Sequence, residues 1–286
     1  MHEVFAKGIL SKSNGINVYR GCTHGCIYCD SRSVCYQMKH AFEDVEVKVN
    51  APELLDRALS GKKNKCMIGT GAMCDPYIPL EKNLRITRRC LEVIERRGFG
   101  VSVLTKSDLV LEDIELLCAI NRKTRAVVSM TLTTWDNGLS KILEPHVCTT
   151  QERLCVLKKL SDAGIDTCVW LCPVLPFIND MEENLVRILE GCRDAGVRGI
   201  LCFGFGVTLR EGDREYFYGK LDEHFPGLRG RYEREFGDAY SVMSPDNKRL
   251  MGIFCGFCRE EGILYKSGDV FSFMERFEDK RQMRLV

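Results

Sequence analysis

The chain contains no apolar run approaching the roughly 18 residues of a membrane-spanning helix. It has no excess of one charge either. With 41 Lys and Arg against 40 Asp and Glu, the formal net charge is +1, which argues against a surface built to hold a long stretch of nucleic acid by counterion release, a local basic patch aside. Its 8 prolines form no linker, and no low-complexity tract interrupts the 286 residues, 45% of them hydrophobic. Collagen-like, mucin-like and disordered classes are thereby excluded. Met1-His2-Glu3-Val4 opens without a basic segment followed by an apolar core, so no secretory signal is expected and the chain is read as cytoplasmic. Against these shortages stands a surplus of cysteine, 16 in all. In a chain of this length, in a reducing compartment, thiols serve metals, catalysis or plain core packing rather than a disulfide framework.

Short apolar runs alternate with amphipathic stretches. Ile16–Tyr19, Cys66–Gly69, Val101–Leu104, Ala126–Leu132, Thr167–Leu171 and Gly199–Phe203 suit strands buried on both faces. Leu84, Leu91 and Ile94 mark a helix closed by Gly98; Thr149 with Glu152 forms a capping box before another, which Gly164 closes. Asp180 with Glu183 reads as a second capping box, ahead of Leu185, Ile188 and Leu189. These signals follow helix start and stop chemistry. Six β/α units imply a parallel sheet with right-handed crossovers, either an open sheet or a full or partial barrel. The rhythm stops after residue 207. Residues 1–207 are therefore read as the α/β body, and 208–286, with a helix near 247–261, as a C-terminal extension packed on it.

Cys22-Thr23-His24-Gly25-Cys26-Ile27-Tyr28-Cys29 sets three thiols at spacings of three and two intervening residues, just after the first strand. Three thiolates on one tight loop can each hold one iron of a cubane and leave the fourth iron open to bind something else. Zinc is the competing reading, but a structural zinc site wants four ligands in paired knuckles. The fourth would have to be His24 inside the loop, or Cys35 beyond it.

This CxxxCxxC, with an aromatic before its last cysteine, closely resembles the motif of the radical S-adenosylmethionine (SAM) superfamily. The resemblance implies a partial (β/α)6 TIM-type barrel and a [4Fe–4S] cluster held by Cys22, Cys26 and Cys29. It further implies SAM chelated to the open iron, an external electron donor such as flavodoxin or ferredoxin, and cleavage of SAM to a 5′-deoxyadenosyl radical that abstracts a substrate hydrogen. A narrower resemblance spans most of the chain. Tyr19-Arg20-Gly21-Cys22, Asp75-Pro76-Tyr77, Leu104-Thr105-Lys106-Ser107, Val128-Ser129, Glu144-Pro145 and Arg153-Leu154 are similar to landmarks of the spore photoproduct lyase-like group. By that resemblance Gly69, Thr70 and Gly71 meet the SAM amino group, Lys106 faces its carboxylate, and Ser129 its ribose or methionyl part. Glu144 and Arg153 match landmarks whose role is either SAM contact or a structural ion pair. The backbone around Phe203 and Gly204-Phe205-Gly206, ending the sixth strand, runs beside the adenine, and the loop Pro173–Asp180 is either a neighbour of the same ring or a purely structural loop.

The departures narrow the function. Ala72 stands where the photoproduct lyases carry their hydrogen-donating cysteine, and Asp30 replaces one of two tyrosines flanking the last cluster cysteine. The dimer-repair relay is not intact, so efficient repair of thymine photoproducts is not expected. Cys74, two residues beyond Ala72, and Tyr28 are the candidates for a displaced radical path; the plain alternative is that Cys74 packs and Tyr28 covers the cluster. A member of the fold without catalysis, and a zinc-loop nucleic-acid binder, are the readings from other classes. Cys255-Gly256-Phe257-Cys258 sits at helical spacing with Leu250 and Phe254 and reads as a buried face. The other thiols inside helices and strands read as small buried hydrophobes.

Overall fold

The computed structural model describes residues 1–280. Its central sheet has six strands: β1 (Gly15–Ile16), β2 (Met67–Thr70), β3 (Gly100–Thr105), β4 (Ala126–Thr131), β5 (Asp166–Trp170) and β6 (Gly199–Leu201). They run in sequence order, every pairing parallel. Parallel neighbours need crossovers, supplied by α1 (Ala51–Ser60), α2 (Ile86–Arg97), α3 (Ile114–Lys123), α4 (Thr150–Asp162) and α5 (Glu182–Asp194). The result is the expected partial barrel. Outward strand residues such as Val101, Val103 and Val128 are buried with helix residues Leu91, Ile94, Leu117 and Leu157 in one core. Its inward residues Met67, Val127, Cys168 and Leu201 meet Val270 and Met274.

Local signals mostly hold. Gly98 ends α2 at φ +68°, with Phe99 N–H donating to Ile94 O, and both halves of the Thr149–Glu152 capping box are formed. The second capping box is not: α5 has Met181 at its cap position, without a side-chain cap bond. Asp180 instead accepts from Phe177 N at 2.8 Å and from Ser244 Oγ at 2.6 Å, so it shapes the preceding loop. The first run also splits. Only Gly15–Ile16 joins the barrel, whereas Tyr19–Arg20 pairs antiparallel with Glu46–Lys48, which in turn pairs parallel with His2–Val4.

Beyond β6, Gly206–Thr208 pairs antiparallel with Ser241–Met243, so this pairing straddles residue 207, where the strand rhythm of the sequence stops. Next come α6 (Asp213–His224), α7 (Leu228–Phe236), α8 (Asn247–Glu260) and α9 (Ser267–Glu275). In α8, Leu250, Phe254 and Cys258 face the core, as the spacing of that CxxC predicts. Helix α9 closes the barrel: Val270 and Met274 pack beneath the strands, and buried Arg125 donates to Phe273 O and to Arg276 O.

Candidate active site

The cysteine loop is held in place by its glycines and by the segment Leu143–His146. Gly21 (φ +88°) passes so close to the Phe42 carbonyl that a Cβ would lie 2.4 Å from its oxygen. Gly25 (φ +73°) is pressed on Pro145, 2.9 Å from where a Cβ would sit. Both positions exclude other residues. Ile27 N–H donates to Leu143 O at 3.0 Å and His146 N–H to His24 O at 3.2 Å.

That bracing explains the Glu144 landmark. Glu144 and Arg153, each side chain with 0% exposure, form an ion pair at 2.5 Å. Arg153 also donates to Thr131 O and Cys148 O, both at 2.8 Å, and the Tyr28 hydroxyl donates to Glu144. Strand β4, α4 and the cysteine loop are thus fastened together through one buried pair. Burial alone would raise the Glu144 carboxyl, but Arg153 and Lys106 hold it below the usual range. Of the two roles open to Glu144 and Arg153, the geometry favours the structural one.

Cys22, Cys26 and Cys29 converge on one inner cavity with Tyr28, Cys74 and Lys106. It opens past Tyr28, Gly71 and Lys106 into a mouth cavity of about 390 Å³ bounded by Trp170, Cys172 and Phe203. The carboxyl ends of parallel barrel strands face this space, the expected position for such a site. All three cysteines are free thiols. Hydrogen bonding with Cys74, then with His24, outweighs burial and holds Cys22 well below the usual thiol range. Burial pushes Cys26 and Cys29 up. Lys106 follows β3. Burial penalises its ammonium, but Cys26, Glu144 and Asp75 act through space, without a side-chain hydrogen bond, and raise its pKa. It is a permanent cation facing a cavity. Asp75 accepts from Thr105 Oγ1 and Lys106 N, both at 2.7 Å, and from Tyr77 N at 2.8 Å. Its Oδ2 lies 3.6 Å from His24 Nδ1, which links the loop after β2 to the cysteine loop.

The remaining expected positions divide. Gly71 lines both cavities; its φ is +97° and a Cβ would lie 1.9 Å from Leu104 O. Gly69 and Thr70 lie lower in β2, beside Gly15 and Ile16. Phe203, 57% exposed, stands at the mouth edge-on to Trp170. Ser129 needs correction. It points into the barrel one layer below the cavity, 1% exposed, with Oγ 3.4 Å from Met274 Sδ of α9. Thr131, two residues on and on the same face, reaches both cavities instead. Cys74 belongs to the inner cavity, its Sγ 2.7 Å from Gly21 O and beside Cys22, and Tyr28 turns its hydroxyl away to Glu144. Cys172 also lines the mouth cavity; no motif marks it, and the one signal in the sequence is its place two residues beyond β5.

The donor set fits an open cubane better than zinc. Three thiols share one cavity, while His24 is turned to Asp75 and Cys35 is exposed beside Arg210 NH1, at 3.3 Å. A model of the radical SAM superfamily matches residues 16–189, and the chain belongs to that superfamily. It binds a [4Fe–4S] cluster and SAM. It is 29% identical over 272 residues to an uncharacterized protein of Mycobacterium tuberculosis, an alignment covering 87% of this chain and 77% of that one. An uncharacterized protein of Methanocaldococcus jannaschii is 34% identical over 169 residues, 58% of this chain and 62% of the relative. Among solved structures, a cysteine-to-serine variant of spore photoproduct lyase superposes with a TM-score of 0.64 at 14% identity, covering 91% of this chain and 78% of that one. Streptococcus suis SuiB bound to S-adenosylmethionine gives 0.53 at 11% identity, covering 88% and 49%. The two structures share the fold.

Proposed function

We propose that this radical SAM enzyme cleaves SAM reductively and abstracts hydrogen from a substrate seated in the mouth cavity, and that the thymine photoproduct is not that substrate. One observation carries the reading: three cluster thiols, a lysine ammonium with no ion pair among the described residues and a glycine-backed wall share a cavity continuous with the mouth. When bound, cluster and SAM together supply a 5′-deoxyadenosyl radical, and the protein positions them and excludes side reactions.

The residues divide the work. Cys22, Cys26 and Cys29 hold three irons. Lys106 pairs with the SAM carboxylate, a charge-assisted contact, while Gly71 lets the chain approach the amino group and Thr131 offers a hydroxyl. Phe203 and Trp170 form an apolar wall for the adenine. Tyr28 shields the cluster and is held by Glu144. Against a photoproduct lyase activity stand Ala72 on the cavity wall and Cys74 turned to Gly21. The thiol on the substrate side is Cys172, which we assign as hydrogen donor in place of Cys74. Residues 1–207 form the catalytic part and 208–286 the extension that closes it, a division supported by the packing of α9 under the strands. The electron donor is a flavodoxin or ferredoxin, and the site of action is the cytoplasm.

The reading is tested by anaerobic incubation with SAM and reductant. We expect 5′-deoxyadenosine release, and little or no conversion of the dinucleoside spore photoproduct. Rapid, clean repair of that lesion would overturn the substrate assignment.

A further inference from the structure

A second group of metal-ligating side chains lies away from the cysteine loop. Strand His2–Val4 pairs with Glu46–Lys48 in a register that sets His2 against Glu46. The turn before Glu46 is closed by Asp44 N–H donating to Ala41 O at 3.0 Å, which brings Asp44 back to His2. The two contribute Nδ1 and Oδ2 at 3.0 Å, and Asp44 Oδ1 lies 3.0 Å from the Met1 amino group. The His40 ring meets that of His2 edge-on, with centroids 4.8 Å apart. One nitrogen from each ring and one Asp44 oxygen lie within 4.8 Å of one another.

Ring packing and the His2–Asp44 bond explain part of this arrangement. They leave His40 Nε2 unexplained. That atom is buried without a hydrogen-bond partner among the described residues, and Glu46 Oε2 stands 3.8 Å from it, beyond hydrogen-bond reach. His40 Nδ1 lies 3.0 Å from Ala41 O. A carbonyl only accepts, so in the neutral ring Nδ1 carries the proton and Nε2 the lone pair. A ring fixed through one nitrogen by a backbone carbonyl, with the other nitrogen free, is the usual preparation of a histidine for a metal.

We propose that His2, His40 and Asp44, with Glu46 beside them as fourth donor, bind a divalent transition metal of the zinc class. Two neutral imidazoles and carboxylates make a nitrogen–oxygen set that suits zinc and not magnesium or calcium. Ligands of a tetrahedral zinc sit about 3.4 Å apart, a contraction that rotation of these half-buried side chains supplies. The metal ties the strand His2–Val4 to the turn that holds the cysteine loop, because Phe42 O in that turn accepts from Cys22 N–H at 3.1 Å. It is a staple under the cluster loop, separate from the cluster.

The test uses the full chain with its iron–sulfur cluster in place, so that Cys22, Cys26 and Cys29 are occupied, and no histidine tag. After equilibrium dialysis against zinc with a weak competing chelator, elemental analysis should give one zinc per chain beside the cluster iron. The His2→Ala/His40→Ala variant should retain none at unchanged iron content. The milder His40→Gln and Asp44→Asn should each weaken zinc binding at least tenfold, and zinc should raise the melting temperature of wild type alone. Holoprotein that binds no zinc, or equal zinc in wild type and in any folded variant, overturns the proposal.

Discussion

Replacing Arg153 by Met removes the cation of a fully buried pair while keeping most of the side-chain volume. It leaves the Glu144 carboxylate buried beside Tyr28 and strips Thr131 O and Cys148 O of their donor. Breaking a buried ion pair from one side costs about 3–5 kcal/mol, and each orphaned carbonyl adds about 1 kcal/mol, for a total on the order of 5–7 kcal/mol. Glu144→Leu/Arg153→Met removes both charges and should be less destabilised than Arg153→Met alone, since no uncompensated charge remains. Tyr28→Phe loses one bond to a charged acceptor, about 1.5–3 kcal/mol. The pH dependence has a definite sign. In wild type the Glu144 carboxyl sits below its ordinary value, so its contribution is present at neutral pH and is lost as pH falls through the folded value. Without Arg153, burial raises it, protonation then relieves the charge, and the gap from wild type should narrow from pH 8 to pH 5.5. Anaerobic urea unfolding of the reconstituted proteins by circular dichroism reads these differences, and SAM calorimetry runs beside it. A cost below about 1 kcal/mol for Arg153→Met, with SAM affinity reduced more than tenfold, would refute the clamp and make the pair a direct SAM contact.

Lys106→Ala should weaken SAM binding about tenfold or more, from the loss of a charge-assisted contact worth about 1.5–3 kcal/mol; calorimetric affinity equal to wild type would remove Lys106 from the site. Gly71→Ala forces a Cβ against Leu104 O and should cost on the order of 3 kcal/mol or more. Gly69→Ala, where nothing lies within 4 Å of the new Cβ, should stay within about 1 kcal/mol of wild type, and equal melting temperatures for both variants would contradict the strand geometry. Burial raises the Asp213 carboxyl to about 6, so the native state binds more protons than the unfolded chain between about pH 4 and 6. Stability should fall as pH rises through that window, by about 1 kcal/mol after solvent screening. Asp213→Asn should flatten that part of the thermal-melt profile, and an unchanged profile would show the group to be unperturbed.

The barrel was legible because its strands are largely apolar and two of its helices carry glycine stop signals, Gly98 and Gly164. The three thiols of the cysteine loop stood out in the sequence because they are set by local spacing, and the fold brings them to one cavity. What depends on distant chain was not legible. Ser129 and Thr131 share a face of β4, and only the arrival of Met274 from α9 decides which of them reaches the cavity. Asp180 has the identity of a cap but meets Ser244, whose position no local pattern encodes. The His2–His40–Asp44 group is scattered along the first 44 residues, and sheet register together with the turn at Ala41–Asp44 assembles it. Cys172 lacked any motif of its own, since its significance comes from the cavity it borders.

The central claim is that Cys22, Cys26 and Cys29 hold a cluster at which SAM is cleaved. The direct measurement is 5′-deoxyadenosine by liquid chromatography and mass spectrometry after anaerobic reconstitution with iron and sulfide and reduction with dithionite. Wild type should carry about four irons per chain and release 5′-deoxyadenosine with methionine, whereas the Cys22→Ala/Cys26→Ala/Cys29→Ala variant should lose most of its iron and all of the product. A fully loaded, reduced wild type that binds SAM and yields no 5′-deoxyadenosine, or a triple variant that keeps its iron, would contradict the account.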